Sequence, residues 1–420
     1  MRTVALRRLS TVPIANGLGL PGNNAEPLDP RYIRTTDIAS PTTLKDDTFV
    51  SQPADIARKA SVKYGDLLLV SAGASIGKSV LYMSHNPACY AGFLTRVRPK
   101  SIREGRFLSY WTQSLHFIDQ VRSTAVQSTI ENFSASRYKE LRVPVISEVQ
   151  QERIAEYLDV ETAKIDLLIT KQQELIDLTK ERADADIEAS IWGQRIETDQ
   201  ESEIIKRSYY PRNISSLALE RRLATLPKTW DVQRFKWVFT RKDERNTDLV
   251  LEMLSLRQTG AVVPRSETRQ SQEPSEASIP KYLAVSSGDL VVNPMWLTGG
   301  AIGVSERAGA VSPDYRVFAI ADQLLPSYAH EILRSVSYRH QSKLFERAST
   351  TFDRRIQQID LDNLPVPIPP KEDQEEIVQE VRKIHKHRDE LINIVERHIE
   401  LAQERRSALI TAAVTGQIEV

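Results

Sequence analysis

The stretch LRVPVISEVQQERIAEYLD at residues 141–159 returns at residues 364–382 as LPVPIPPKEDQEEIVQEVR. The same offset of 223 residues continues without a gap to Gly193-Gln194 and Gly416-Gln417, and 18 of these 54 aligned positions are identical. Average composition would give roughly 3 or 4 identities by chance. The chain therefore contains a tandem duplication, and each copy is long enough for one globular domain and one further element.

The further element in each copy is predicted to be a long helix. Between Glu148 and Trp192 there is no proline or glycine, and apolar residues recur at helical spacing. The second copy, from Glu372 to Thr415, repeats this pattern, and Gly193 and Gly416 end the two runs. At about 1.5 Å per residue, each helix would be on the order of 65 Å long. Because each carries one narrow apolar stripe, we predict that the two helices pair with each other, the alternative being that each packs on its own domain.

The regions ahead of the helices have the pattern of mixed α/β domains. Val62–Ala72 and Tyr282–Val292 are apolar runs, each broken by a Gly-Asp turn and followed by a glycine-rich loop. Phe107–Val121 and Ser327–Leu344 are predicted to be helical. We therefore expect a mixed α/β (α+β) fold of two tandem domains, with the long helices paired as an antiparallel coiled coil of pseudo-two-fold symmetry. The predicted bounds are 1–147 for the first domain, 148–194 for the first helix, 195–225 for a connector, 226–370 for the second domain and 371–420 for the second helix.

Composition excludes several classes of protein. The 420 residues include 40% hydrophobic residues and a single cysteine, Cys89, which cannot form an internal disulfide. No stretch approaches the roughly 18 apolar residues of a membrane span, so we expect a cytoplasmic protein without a membrane partner. No cysteine and histidine cluster has the spacing of a metal site, so we expect neither a metal nor a cofactor.

The net charge of zero hides an uneven distribution. The formal charge is +7 for residues 1–148, −5 for 149–225, +1 for 226–370 and −3 for 371–420. A uniformly neutral chain would oppose a nucleic-acid partner, because phosphate binding needs a basic surface. Here the positive excess falls on the two predicted domains, so the charge does not exclude DNA binding.

Two motifs resemble enzyme sites. Ala72–Ser79 (AGASIGKS) fits a relaxed P-loop, but Val80–Met83 is strand-like where a P-loop needs a helix. Asn293–Trp296 (NPMW) resembles the Asn-Pro-Pro-Tyr/Trp motif of amino-methyltransferases, although no glycine-rich turn for a methyl donor is visible. We therefore favour a binding protein. The alternatives are an adenine amino-methyltransferase centred on Asn293–Trp296 and a coiled-coil scaffold that binds protein.

Side chains suited to DNA bases occur in loops that follow strand-like runs in both copies. Arg binds guanine edges, Asn and Gln bind adenine, and Ser and Thr bind several edges. A hydrogen-bonded surface turn remains the alternative for each of these residues. The predicted DNA-contacting residues are Arg34, Thr35, Thr36, Ser71, Ser75, Lys78, Arg257, Gln258, Thr259, Asn293, Trp296, Thr298, Tyr315, Arg316, Thr351, Arg354 and Arg355.

The order of the motifs resembles that of the DNA specificity subunit of type I restriction–modification systems. The resemblance covers nearly the whole chain, and the alternation of domain and helix is itself distinctive. The matching segments are Tyr32–Ile38 (YIRTTDI), Gly65–Leu67 with the Ala74–Gly77 loop, Val291–Trp296 (VVNPMW), Ser312–Phe318 (SPDYRVF), Val366–Pro370 (VPIPP) before Gln374-Glu375, and Leu409–Ile418 (LITAAVTGQI).

The resemblance implies a non-catalytic subunit that reads an asymmetric bipartite target, with one target-recognition domain for each half-site. The long helices would act as a ruler between the half-sites. The implied partners are double-stranded DNA, two methyltransferase subunits docked on Gln151–Gln194 and Gln374–Gln417, and restriction/motor subunits that join through the complex. Two departures stand out. The first copy lacks the Leu-Pro-x-x-Trp entry of Leu226–Trp230, which leaves the start of domain one open, and Trp192 stands where the second copy has Thr415.

Overall fold

The chain divides into two units, and each unit contains a part of both long helices. Unit 1 comprises Met1–Glu174 and Val395–Val420, and unit 2 comprises Leu175–Ile394. The structure, a computed structural model, describes residues 2–125, 133–194, 216–247, 251–268, 275, 277–345 and 356–420.

The two long helices span Glu148–Ile191 and Lys371–Val414, with 44 residues each. The predicted helical runs Glu148–Trp192 and Glu372–Thr415 agree with these bounds to within one residue, whereas the wider bounds of 148–194 and 371–420 extend past the end of each helix. A glycine follows each helix, and Gly193 and Gly416 share a φ of 69°. This left-handed conformation ends a helix at little cost in glycine and at a higher cost in other residues, which explains why both copies stop at the same place.

A four-stranded antiparallel sheet forms the centre of unit 1. Its strands lie in the order Ala15–Asn16, Leu94–Val97, Leu67–Val70, Ser79–Leu81. Every residue of Leu67–Val70 is buried. Because side chains alternate along a strand, Leu67 and Leu69 enter one hydrophobic core while Leu68 and Val70 enter another. The strand therefore has an unbroken apolar sequence rather than an alternating one.

The remaining elements of unit 1 surround this sheet. Its first strand, Thr3–Ala5, pairs with Arg142–Pro144 directly before the first long helix. Its other strands are Arg31–Ile33, Ile38–Ser40, Thr43–Leu44, Ser61–Val62 and Ala88–Tyr90. Its shorter helices, including three 3-10 turns, are Leu6–Leu9, Thr35–Asp37, Ala54–Ala57, Arg58–Ala60, Ile102–Trp111, Leu115–Ala125 and Ala135–Glu140.

Unit 2 repeats this architecture. Its four-stranded antiparallel sheet has the order Phe239–Lys242, Arg316–Ile320, Leu290–Val292, Ile302–Val304. Its opening strand, Asp231–Arg234, pairs with Pro365–Ile368 directly before the second long helix. Its other strands are Leu254–Leu256, Val262–Pro264, Leu283–Val285 and Gly309–Val311. Its shorter helices are Leu217–Ala224, Phe235–Val238, Arg265–Glu267, Ile279–Lys281, Leu297–Gly299, Pro326–Arg334, Val336–Lys343 and Gln358–Asp362.

Within each unit the two long helices run in opposite directions. In unit 1, Ile154 and Leu158 near the start of the first helix share a core with Ile410 and Val414 near the end of the second. In unit 2 the end of the first helix shares a core with the start of the second, and the buried residues are Ile187, Ile191, Ile377, Val378 and Val381. The predicted fold, mixed α/β with paired antiparallel helices, is confirmed in this sense.

Two predicted helices are each a pair of helices, so these predictions were wrong in extent. Phe107–Val121 falls across Ile102–Trp111 and Leu115–Ala125, and Ser327–Leu344 falls across Pro326–Arg334 and Val336–Lys343. At Ser335 the backbone is extended (ψ 156°), and the hydroxyl accepts a hydrogen bond from the Tyr338 N–H at 3.3 Å. Such a capping serine starts a second helix where the apolar spacing alone predicts one continuous helix.

The end of the predicted connector is also helical. Leu217–Ala224 forms a helix whose first turn is capped by the Ser216 hydroxyl, and Leu219 is fully buried in the core of unit 2. Residues 195–215 lie outside the described residues. None of the described helices is both long and apolar enough to cross a membrane.

Candidate nucleic-acid interface

Two loops of unit 2 bring several predicted DNA-contacting residues side by side. The turn at Arg257–Gly260 joins two paired strands, and its Arg257, Gln258 and Thr259 side chains are exposed. The second loop contains the 3-10 turn Leu297–Gly299. The Gln258 side chain lies against it, because a Cβ atom placed on Gly299 would lie 3.7 Å from the Gln258 Nε2 atom. Thr298, which is half-buried, lies in that second loop. The two loops therefore form one surface.

The NPMW motif divides its roles between a buried amide and an exposed ring. Asn293 is buried, and its Oδ1 atom accepts a hydrogen bond from the Met295 N–H at 3.1 Å. The Trp296 side chain is 45% exposed. The Trp296 ring is therefore partly open to solvent, whereas the Asn293 oxygen stabilises its own turn.

Tyr315 and Arg316 lie where the loop after the strand Gly309–Val311 enters the strand Arg316–Ile320 of unit 2. Burial raises the pKa of the Tyr315 hydroxyl, an effect that contacts with the Ser255 side chain, Arg265 and the Asn293 side chain only partly offset. The Arg316 guanidinium donates to the Ile356 carbonyl at 2.7 Å, and the Ile356 N–H donates to the Pro294 carbonyl at 3.0 Å. The predicted contacts Thr351, Arg354 and Arg355 lie outside the described residues.

In unit 1 the glycine-rich loop from Ser71 to Lys78 has a buried start and an exposed tip. Ser71 is buried, with its N–H donating to the Phe93 carbonyl at 2.9 Å. Ser75 and Lys78 are exposed and line a cavity of about 540 Å³, together with Phe117 and Arg122. The loop therefore presents a hydroxyl and an ammonium group beside an apolar cleft.

Tyr138 holds the base of this loop. Its hydroxyl donates to the Val70 carbonyl at 2.5 Å and accepts from the Gly77 N–H at 3.3 Å. Burial raises the pKa of Tyr138, so the hydroxyl keeps its proton as a donor. The strand Ser79–Leu81 follows the loop, as the sequence predicts. A helix N-terminus, which a P-loop uses to bind phosphate, is therefore replaced by a strand at this position.

Arg34 serves a structural purpose in the turn that it begins. Its guanidinium donates to both carboxylate oxygens of Asp37, at 2.9 and 3.2 Å, and to the Thr48 carbonyl at 2.8 Å. Asp37 is fully buried, so Arg34 compensates its charge. Of its two predicted neighbours, Thr36 is exposed and Thr35 is half-buried.

Arg122 and Ser255 lie beside predicted DNA-contacting residues, and the sequence did not indicate either of them. Arg122 lies on the helix Leu115–Ala125, far along the chain from the Ser75 loop whose cleft it lines. Only the folded chain brings the two together. Ser255 interrupts a buried strand, Leu254–Leu256, and that lone polar residue in an apolar run is the signal that could have indicated it.

A family comparison finds a similarity in the first part of the chain. Residues 28–176 match the family model of the type I restriction modification DNA specificity domain. This segment is similar to that family. The resemblance predicted from the motifs is thereby confirmed, and the matched segment contains the whole Ser71–Lys78 loop and the start of the first long helix.

Two solved structures share the fold over almost the entire chain. A chain from a study of complex assembly and conformational transition of the type I R-M system has 16% identity and a TM-score of 0.64, with 99% of this chain and 98% of that one covered. The HsdS subunit from Thermoanaerobacter tengcongensis has 14% identity and a TM-score of 0.51, with 99% and 97% covered. At these identities the likeness establishes the fold alone. No curated protein sequence matches the chain significantly.

The central sheet of unit 1 has a structural counterpart in unit 2. The two central sheets have the same strand order, and in each unit a two-stranded ladder precedes the long helix. The loop residues differ, since Ser75 and Lys78 occupy the loop of unit 1 whereas Trp296 and Thr298 occupy that of unit 2. One scaffold thus carries two loops with different side chains.

Proposed function

We propose that this chain is the DNA specificity subunit of a type I restriction–modification complex and reads an asymmetric bipartite target. The observation that carries this proposal is the recurrence, in unit 2, of the sheet order found in the specificity domain of unit 1. Two domains with one scaffold and different loop side chains read two different half-sites, because base identity is read from the hydrogen-bonding groups that reach the groove.

The exposed side chains of the two domains differ in their chemistry. Unit 2 offers Gln258, which suits adenine edges, and Arg257, which suits guanine edges and also donates to the Glu267 carbonyl at 2.9 Å. The exposed Trp296 ring lies on the second loop. Unit 1 offers Thr36, Ser75 and Lys78. Arg34, Ser71 and Asn293 support these loops through the hydrogen bonds described above. We assign them to positioning the loops rather than to base contact.

An exposed apolar face on the first long helix supports docking of a protein partner. Val149, Val160 and Leu167 are 60%, 56% and 59% exposed. They are 11 and 7 residues apart, steps that return to the same face of a helix. The buried Ile154 and Leu158 lie on another face. We propose that a methyltransferase subunit of the same system covers the exposed face, that two such subunits bind per chain, and that the restriction/motor subunits join through them.

In this proposal the chain is not itself a catalyst, and the methyl transfer belongs to its partners. The NPMW strand, Leu290–Val292, runs antiparallel to both of its neighbours. Methyl-donor and dinucleotide sites of the doubly wound type instead lie at the carboxyl ends of parallel strands. The Asn293 oxygen is also occupied within its own turn. Both observations favour a reading loop over a methyltransferase site.

Footprinting of the chain in complex with its methyltransferase partner tests this function. We expect two separate protected blocks of different sequence with an unread spacer between them. A single continuous palindromic footprint would overturn the proposal. A complex whose DNA affinity is the same at low and high salt would instead favour the protein-binding scaffold, because phosphate contacts make affinity depend on salt.

Matched variants assign each half-site to a domain. Gln258→Ala in unit 2 should relax base discrimination at one half-site by on the order of tenfold, and Ser75→Ala in unit 1 should do so at the other. The exposed Lys59→Gln variant, outside both loops and both long helices, is the control. Loss of discrimination at both half-sites from either single variant would contradict the assignment of one domain to each half-site.

A further inference from the structure

The side chain of Arg334 joins the two loops of unit 2 that carry Gln258 and Thr298. It lies at the end of the helix Pro326–Arg334. Its Nη1 atom is 3.0 Å from the Gly300 carbonyl oxygen, 3.3 Å from that of Ile302 and 3.5 Å from that of Gln258. A single guanidinium group thus donates to the backbone of both loops that carry predicted base-reading residues.

The loops are shaped to admit this guanidinium. Gly260 has a φ of 81°, and a Cβ atom at that position would overlap Nη1 of Arg334. The backbone at Gly260 also lies close to Gly303, because a Cβ atom on Gly303 would overlap the Gly260 carbonyl oxygen. Any larger residue at Gly260 would therefore displace the side chain that joins the loops.

The helix that carries Arg334 is itself fixed on two sides. One turn earlier, Glu331 faces His385 of the second long helix, with Oε2 and Nε2 3.6 Å apart. His330 accepts a hydrogen bond at Nδ1 from the Val304 N–H at 3.1 Å. Burial lowers the pKa of His330, so the ring remains neutral and keeps this acceptor. The helix that carries Arg334 is therefore held by a strand and by a long helix of the same unit.

The matching helix of unit 1 uses different chemistry. Ile102–Trp111 also follows the last strand of its central sheet, but its buried face includes Phe107, Leu108 and Trp111. Apolar packing positions this helix, where unit 2 adds a cation directed at loop carbonyls. This difference gives the molecule an internal control, because a change at Arg334 leaves the unit 1 arrangement intact.

We propose that Arg334 is a positioning residue that sets base discrimination in the second domain by fixing the loops of Gln258 and Thr298 against each other. The inference rests on the proposed DNA-reading function and names a residue outside the predicted contacts. Hydrogen bonds from an ionised donor are stronger and more directional than neutral ones, so one guanidinium group can hold two loops in register. Arg334 acts through the backbone and does not itself contact the DNA.

The test measures binding of the full chain, in complex with its methyltransferase partner, to the target and to single-base variants of each half-site. Arg334→Gln should lower discrimination by on the order of tenfold at the unit 2 half-site and leave the other half-site unchanged. Arg334→Lys should recover part of the loss, because it keeps the charge without the guanidinium fork. Arg339→Gln removes a charge from the same cavity, of about 290 Å³, and should leave discrimination unchanged at both half-sites.

The outcomes separate this inference from the proposed function. If the wild-type complex shows no two half-sites, both fail. If it shows two half-sites and Arg334→Gln discriminates as well as wild type, only the inference fails. Equal losses at both half-sites, or an equal loss in Arg339→Gln, would indicate a general effect of charge or folding and would also overturn it. Thermal unfolding of each variant shows whether Arg334→Gln has folded, and if it has not, the decision rests on Arg334→Lys.

Discussion

Cys89, the single cysteine of the chain, is sealed inside unit 1. It lies in the strand Ala88–Tyr90 with no exposed surface, and burial raises the pKa of its thiol from 9.0 to about 12. Because the thiolate is the reactive form, we expect the native chain to resist iodoacetamide at pH values near 9 and the urea-unfolded chain to react readily. Mass spectrometry of the labelled protein measures both, and rapid labelling of the native chain would contradict the burial.

The same thiol links stability to pH in one direction. Above pH 9.0, the ordinary thiol value, the unfolded chain loses the Cys89 proton while the folded chain keeps it up to about 12. The free energy of unfolding should therefore fall as pH rises through this window. Cys89→Ala, followed by urea unfolding, should remove this part of the pH dependence.

The sequence does not show which polar side chains of a loop are already hydrogen-bonded within the protein, and this limits the prediction of a DNA-contacting surface. The exposed positions of Gln258, Thr259 and Trp296 agree with loops predicted from strand and turn patterns. Arg34 and Asn293 have equally suitable chemistry, yet their polar atoms bind Asp37 and the Met295 N–H. A turn's geometry decides whether a polar side chain faces solvent or its own backbone, and one sequence does not fix that choice.

At the scale of the helix, two leucines nine residues apart should behave in opposite ways. Leu158 is fully buried in the unit 1 core, whereas Leu167 is 59% exposed. Leu158→Ala should lower the free energy of unfolding by about 2–5 kcal/mol, and Leu167→Ala by less than about 0.5 kcal/mol. In a pull-down with the methyltransferase subunit, Leu167→Ala should weaken binding despite its normal stability. Wild-type binding by Leu167→Ala would remove this residue from the proposed docking face.

Elements differ in how well local sequence determines them. The long helices could be predicted closely because an uninterrupted apolar period ends at Gly193 and Gly416, where the backbone is left-handed. The pairs of short helices could not, because the break at Ser335 depends on one extended residue inside a helical period. The shared strand order of the two sheets also follows from long-range pairing, which the repeat indicates but does not specify.

At the scale of the molecule, unit 1 is assembled from both ends of the chain. Val395–Val420 belongs to unit 1, and Ile410, Ala413 and Val414 are fully buried in its core. Truncation after Ile394 should therefore destabilise the first domain and leave unit 2 protected. Hydrogen exchange followed by peptide mass spectrometry measures the two separately. Lost protection confined to the second long helix, with unit 1 unchanged, would contradict the shared core.

The discontinuous make-up of unit 1 also fixes the order in which the protein can be completed on the ribosome. Unit 2 is one continuous stretch, Leu175–Ile394, whereas unit 1 also needs Val395–Val420. Unit 1 is thus completed after unit 2, and the apolar surface around Leu158 awaits Ile410 until Val395–Val420 has been synthesised. A prematurely terminated chain would keep that surface exposed, a state in which chaperone binding or proteolysis is favoured over assembly.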